Sequence, residues 1–173
     1  MLIVLAGLPC SGKSTLALDL GRALKCAVLG VDHAEAAMWR AGVSQSAPTH
    51  HAAYLVVGAL AAEQLAMGHD VIVEAVNGPE QARAQWRDLA AQMNADLRFI
   101  VVECSDDDMY RDRVEHRSRI EGFPEPTWDG ILMRRAAFPP WIDERLTIDS
   151  VNSRPANVKA ALEHLKEERP EPY

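Results

Sequence analysis

Residues 7–14 read Gly-Leu-Pro-Cys-Ser-Gly-Lys-Ser, the spacing of a backbone loop built to hold an anion. Its glycines let the chain curl with N–H groups pointing inward, where a side chain would collide. The motif then adds one cation, Lys13, where the β- and γ-phosphates of a nucleoside triphosphate would lie, and one hydroxyl, Ser14, able to ligate Mg²⁺. A helix opening at Lys13 would aim its N-terminal dipole at the same phosphates. A chance match to this pattern arises about once in more than a hundred chains of this length. Here the match also follows an apolar run and opens an amphipathic one, the strand–loop–helix context the chemistry needs. The residues expected to touch nucleotide are therefore Gly7, Leu8, Pro9, Cys10, Ser11, Gly12, Lys13, Ser14 and Thr15, with ATP and Mg²⁺ as the expected ligands.

Such a loop works only if a strand delivers it and a helix continues it. Apolar runs at 2–6, 27–31, 70–76, 97–103 and 146–149 read as strands. Helical patterns lie between them, from Lys13 to about Leu24, over about 34–41 and 51–67, from Pro79 to about Met93, and from a Ser105 or Asp106 cap to about Arg117, with a last one at 157–168. Strands apolar on both faces and separated by helices predict an α/β fold with a parallel sheet covered on both sides. The 173 residues suit one domain over 1–173, and neither repeats nor a low-complexity linker interrupt them.

Composition excludes several classes. The net charge of −7 argues against a duplex nucleic-acid surface, whose affinity rests on many Lys/Arg–phosphate contacts. Cys10, Cys26 and Cys104 are too scattered for a disulfide framework or a zinc site, which fits a reducing compartment. The opening apolar run is too short for a signal peptide, and the longest one, 52–62, falls short of a membrane span; a cytoplasmic protein with no membrane partner is expected. His50 and His51 are adjacent, diverge, and read as a helix start rather than a metal pair. The pattern sets no oligomeric state.

Beyond the loop, the chain resembles the small P-loop kinases related to chloramphenicol phosphotransferase, the zeta-toxin-like kinases and the kinase part of polynucleotide kinases, often grouped as AAA-33-type ATP-binding proteins. The resemblance covers nearly the whole chain through five ordered features: 7–15, Val31-Asp32, 71–77, the arginines of 110–119, and Phe138-Pro139-Pro140 leading to 146–149. It implies a three-layer P-loop NTPase fold, a five-stranded parallel sheet with helices on both faces, and a small helical lid over about 113–128. It also implies ATP-dependent phosphorylation of a hydroxyl on a small molecule such as an antibiotic, nucleoside or sugar. A polynucleotide 5′-kinase, disfavoured by the acidity, and an ATP-binding regulator with slow hydrolysis are the competing readings.

The same resemblance assigns roles. Asp32 would contact the acceptor hydroxyl and take its proton, since a carboxylate near the γ-phosphate can orient a hydroxyl for in-line attack; an Asp there is also a natural helix N-cap. Glu74 stands where the family more often has the Asp of Asp-x-Thr-Asn, and Val76 replaces the Thr. Glu74 is thus either a metal or substrate contact or a buried structural acid, and Asn77 either a cap or a substrate contact. Arg113 and Arg117, at i,i+4 spacing, would neutralise the transferred phosphoryl group, with Arg119 nearby. The alternative is a solvated face pairing with Asp106–Asp108, Asp112 and Glu115. Trp39, Phe123, Trp128 and Trp141 could wall an acceptor pocket or simply pack.

Overall fold

Every side chain of β1 (Leu2–Ala6) is buried, as five consecutive apolar residues flanked by strands on both sides must be. The computed structural model describes residues 1–116 and 120–167. The other strands are β2 (Ala27–Gly30), β3 (Val71–Glu74), β4 (Leu97–Glu103) and β5 (Arg145–Asp149), all parallel, in the order β2-β3-β1-β4-β5. Between them run α1 (Lys13–Leu24), α2 (Val31–Arg40), α3 (Thr49–Ala66), α4 (Glu80–Gln92), α5 (Asp107–His116) and α6 (Trp128–Ala136), and α7 (Arg154–His164) closes the series. This is the three-layer P-loop arrangement with a five-stranded parallel sheet.

The strand period of two divides the core cleanly. Leu2 and Val4 join Val71, Val73 and Phe99 beneath Tyr54 and Val57 of α3 and Trp86 of α4. Ile3 and Leu5 join Ile72, Ile100 and Ile148 beneath Leu16 and Leu20 of α1 and Ala161 of α7. A third cluster packs Tyr110 and Val114 of α5 with Ile131 of α6 against Leu8 and Cys10 of the loop. No helix among the described residues is long and apolar enough to cross a membrane.

Local structure decides points that the sequence left open. α2 begins at Val31, directly on β2, with Gly30 as its N-cap residue; Asp32 sits inside the first turn and caps nothing. Asp106, not Ser105, caps α5, its Oδ1 accepting from Met109 N at 2.9 Å, while Ser105 bonds Asp149. Helix α6 lies almost entirely beyond the expected lid, in a stretch to which the sequence assigned no element. Thr127 caps it by accepting from Gly130 N.

Asn77 neither caps α4 nor reaches a substrate. It is fully buried at φ 51°, its Nδ2 donates to Leu5 O at 2.8 Å, and its Oδ1 accepts from Trp86 Nε1 at 2.9 Å. One amide therefore ties β1, the exit of β3 and α4 together. Asn77→Ala leaves Leu5 O with only the Ala75 N–H, orphans a buried indole N–H and puts a Cβ-only residue in the left-handed region. It should cost about 2–4 kcal/mol of stability, read as a lowered urea midpoint. An unchanged midpoint would remove this role.

Candidate active site

The loop after β1 takes its shape from two glycines. Gly7 has φ 146°, and a Cβ there would lie 2.3 Å from Val102 O and 2.7 Å from Ser11 Oγ. Gly12 has φ 101°, and a Cβ there would meet Ser150 Cβ at 3.1 Å. Any other residue at position 7 would have to displace the neighbouring backbone of β4. From the far side the Tyr110 hydroxyl donates to Pro9 O at 2.8 Å. Burial pushes this phenol well above its ordinary range, so it stays a donor at any working pH.

Lys13 opens α1 and is 5% exposed, yet it makes no hydrogen bond or ion pair with any described residue. Ser11 Oγ is likewise buried and without a partner. A buried hydroxyl and a cation, neither with a partner among the described residues, thus lie on a loop of anion-binding design. The residues present therefore fit a bound phosphate chain.

Ser14 Oγ donates to both carboxylate oxygens of Glu74, at 2.9 and 3.1 Å. β1 and β3 are adjacent, so the end of β3 lies beside the first turn of α1. Glu74 is buried, and its extra methylene relative to Asp lets the carboxylate reach the Ser14 hydroxyl directly. A hydroxyl and a carboxylate in contact make a half-site for Mg²⁺ whose remaining ligands would be phosphate oxygens and water. No group of three or more His, Cys, Asp or Glu side chains among the described residues is arranged to hold a metal by itself.

Asp32 and Glu74 line one cavity of about 770 Å³ together with Lys13, Ser14, Arg113 and Ser150. The strand order explains its extent. β2 and β3 bring the carboxylates to one side of the loop and β5 brings residues 150–157 to the other, so the cavity runs along the carboxyl edge of the sheet. Pro9, Cys10, Gly12 and Thr15 also face it. Gly7, Leu8 and Ser11 do not; they border a separate pocket of about 330 Å³ with Tyr110, Arg135 and Phe138. Asp32 itself makes no hydrogen bond or ion pair among the described residues, which leaves its carboxylate open to the cavity.

Arg113 does not join the acidic residues around it. Its Nη1 donates to Ser150 Oγ at 2.6 Å and its Nη2 to Ser150 O at 3.0 Å, which fastens α5 to the turn after β5 beside Gly12. Asp107 pairs instead with Arg135 at 2.7 Å, and Asp112 with His116 at 3.1 Å. Arg117 and Arg119 lie outside the described residues. The aromatic residues suggested as pocket walls pack elsewhere. Trp39 stacks on Phe123 at 5.3 Å, Trp128 meets Tyr110 edge-on, and Trp141 lies under the Arg83 guanidinium at 4.5 Å. None of the four lines the larger cavity.

Sequence reasoning missed a buried network behind Asp32. One turn further along α2, Glu35 accepts from Thr49 Oγ1 at 2.8 Å and meets His50 Nδ1 at 2.9 Å, while Trp39 Nε1 donates to Thr49 at 2.9 Å. The loop before α6 is docked onto the same helix, through the Trp39–Phe123 stack and Arg40 Nη1 donating to Glu121 O at 2.9 Å. Tyr54, against the back of this group, is raised to about 12 by burial, reinforced by the Asp32 and Glu35 charges. The i,i+3 spacing of Asp32 and Glu35 is the one sequence signal that could have pointed to the network.

Solved structures share this architecture over almost their whole length. A provisionally assigned kinase from Chloroflexus aurantiacus superposes with a TM-score of 0.75 at 23% identity, covering 95% of each chain. The APS kinase of Mycobacterium tuberculosis in complex with AMPPNP and APS gives 0.68 at 20% identity, over 96% of this chain and 97% of that one. A gluconokinase from Sinorhizobium meliloti gives 0.69 at 17%, over 94% and 90%. Among curated proteins, none matches the sequence. The family model AAA_33, described as an AAA domain, matches residues 2–138, from the first strand through the phosphate loop, Asp32, Glu74 and α6, and the chain belongs to that family.

Proposed function

We propose that the protein is an ATP-dependent kinase that phosphorylates a hydroxyl on a small molecule. The observation that carries this reading is a single cavity faced at once by a cation without a partner among the described residues, a hydroxyl–carboxylate pair and an open carboxylate. The loop would hold the triphosphate, with Lys13 at its terminal phosphates. Ser14, with Glu74 behind it, would hold Mg²⁺, which would supply charge neutralisation on the phosphate oxygens. Asp32 orients the acceptor hydroxyl and accepts its proton as the oxygen attacks the γ-phosphorus and the bond to the β,γ-bridging oxygen breaks, leaving ADP. Arg113 stands beside Gly12 with its donors on Ser150, and Arg117 is the second lid cation in the proposal. The two arms of the cavity suit this division, the acceptor on the Asp32 and Glu74 side and the nucleoside towards residues 150–157.

The test is acceptor-dependent ADP release over a panel of antibiotics, nucleosides, sugars and oligonucleotide ends. At least one class should raise the rate well above background hydrolysis and yield a phosphorylated product. Slow hydrolysis that no acceptor stimulates, with nucleotide binding intact, would replace this reading with a regulatory one. Within the proposal, Glu74→Gln should weaken the Mg²⁺ dependence of turnover by about 10- to 100-fold, with metal-free nucleotide affinity little changed. Equal Mg²⁺ titrations for variant and parent would leave Glu74 a structural acid.

A further inference from the structure

Arg113 carries a charge that no carboxylate among the described residues pairs with. Its terminal nitrogens are engaged by neutral acceptors, Nη1 by Ser150 Oγ at 2.6 Å and Nη2 by Ser150 O at 3.0 Å and Met109 Sδ at 3.1 Å. A guanidinium has donors only, so the Ser150 hydroxyl is the acceptor in the first of these bonds. Its own proton remains, and it meets no acceptor among the described residues.

The turn after β5, rather than the arginine, places this hydroxyl. Ser150 N donates to Glu103 O at 2.8 Å, and Asp149 Oδ1 accepts from Ser105 N at 3.2 Å and Val151 N at 3.1 Å. Asn157 Nδ2 of α7 donates to Asp149 O at 3.1 Å. The turn stands against the phosphate loop. A Cβ on Gly12 would lie 3.5 Å from Ser150 Oγ and 3.7 Å from Arg113 Nη1, and both residues line the larger cavity.

We infer that Ser150 is a phosphate-binding residue, its hydroxyl donating to a phosphate that stays with ADP while Arg113 bonds it from behind. This role rests on the nucleotide reading of the cavity proposed above. A hydroxyl that accepts from a cation is a stronger donor, because the two bonds polarise one another. The guanidinium charge beside it, left without a counter-ion among the described residues, favours an anionic ligand. The sheet order then selects the phosphate. The loop follows β1, with Asp32 and Glu74 on its β2 and β3 side and Ser150 on its β5 side. A transferred phosphoryl group must lie between ADP and the acceptor, hence towards Asp32. Ser150 and Arg113, on the opposite flank, are left with a phosphate that is not transferred.

Calorimetric titrations with Mg²⁺-saturated ATP and ADP test this. Ser150→Ala should weaken both nucleotides by the same factor, about tenfold, since the lost donor serves a phosphate common to both. The ratio of the two dissociation constants should stay within about twofold of the parent's. Arg113→Gln should weaken ADP by about 10- to 30-fold. Adding Ser150→Ala to it should cost about threefold more at most, because the hydroxyl without its cation is an ordinary donor. Should Ser150→Ala lose its native circular dichroism spectrum, Ser150→Cys carries the same test with the size retained. Unchanged affinities, a loss several-fold larger for ATP than for ADP, or a double variant whose losses multiply overturns the inference and leaves the nucleotide reading standing. A parent that binds neither nucleotide overturns both.

Discussion

Lys13→Met should abolish ATP-dependent transfer while leaving the nucleotide-free protein as stable as before. Lys13 makes no hydrogen bond or ion pair among the described residues and faces the cavity, so losing its charge breaks no contact of the free protein. Methionine keeps the length and removes only the charge. The loss falls on the bound state, where the ammonium would meet phosphate oxygens. Nucleotide affinity should drop by about 100-fold and turnover by about 10²–10³-fold. Thermal unfolding with and without ATP separates the two effects. The parent's midpoint should rise with ATP by mass action, and the variant's should be equal without ATP and stop responding to it. A variant destabilised on its own, still shifted by ATP, would make Lys13 a structural residue.

Asp32→Asn should have the opposite signature, with nucleotide affinity preserved and phosphate transfer reduced by about 10²–10⁴-fold. The carboxylate has no partner among the described residues to lose, and Gly30 rather than Asp32 caps α2, so the substitution leaves the fold untouched. It keeps the shape of the side chain and removes only its capacity to take a proton. Single-turnover ADP formation with a responsive acceptor is the measurement, beside a fluorescent-nucleotide titration. Transfer at the parent's rate would eliminate Asp32 as the base and reduce it to a neighbour of the true one.

These two residues also mark what was legible in the sequence. Lys13 was readable with its chemistry, because the loop motif is local and every part of it lies within eight residues. The strands and most helices were readable for a similar reason, since the uniform burial of 2–6 and the burial of most of 97–103 leave their record in the residues themselves. Asp32 was readable as a position but not as a state. Whether it capped a helix depended on α2 starting directly on β2, a difference of two residues that propensity does not resolve. Helix α6 went unassigned beside a Gly- and Pro-rich stretch, although Thr127, Asp129 and the basic end Arg134-Arg135 are ordinary cap and dipole signals. The partners of Arg113, Asn77 and Glu35 were out of reach, because Ser150, Leu5 and His50 become neighbours only through the sheet order and helix packing. The Ser14–Glu74 contact belongs with these. The departure from Asp was visible, and its meaning was not until β1 and β3 stood side by side.

The position of β1 at the centre of the sheet has a consequence for how the chain comes to exist. The strand's partners are β3, about seventy residues later, and β4, later still, with Leu2 paired to Val71 on one side and Leu97 on the other. Parallel pairings between such distant segments close large loops before they return any stabilisation, which slows folding. During synthesis this strand and the loop behind it wait for one partner until residue 74 has emerged and for the other until residue 103, and the Ser150 anchor of Arg113 comes later again. The phosphate loop is therefore among the last parts of this domain to take its final shape.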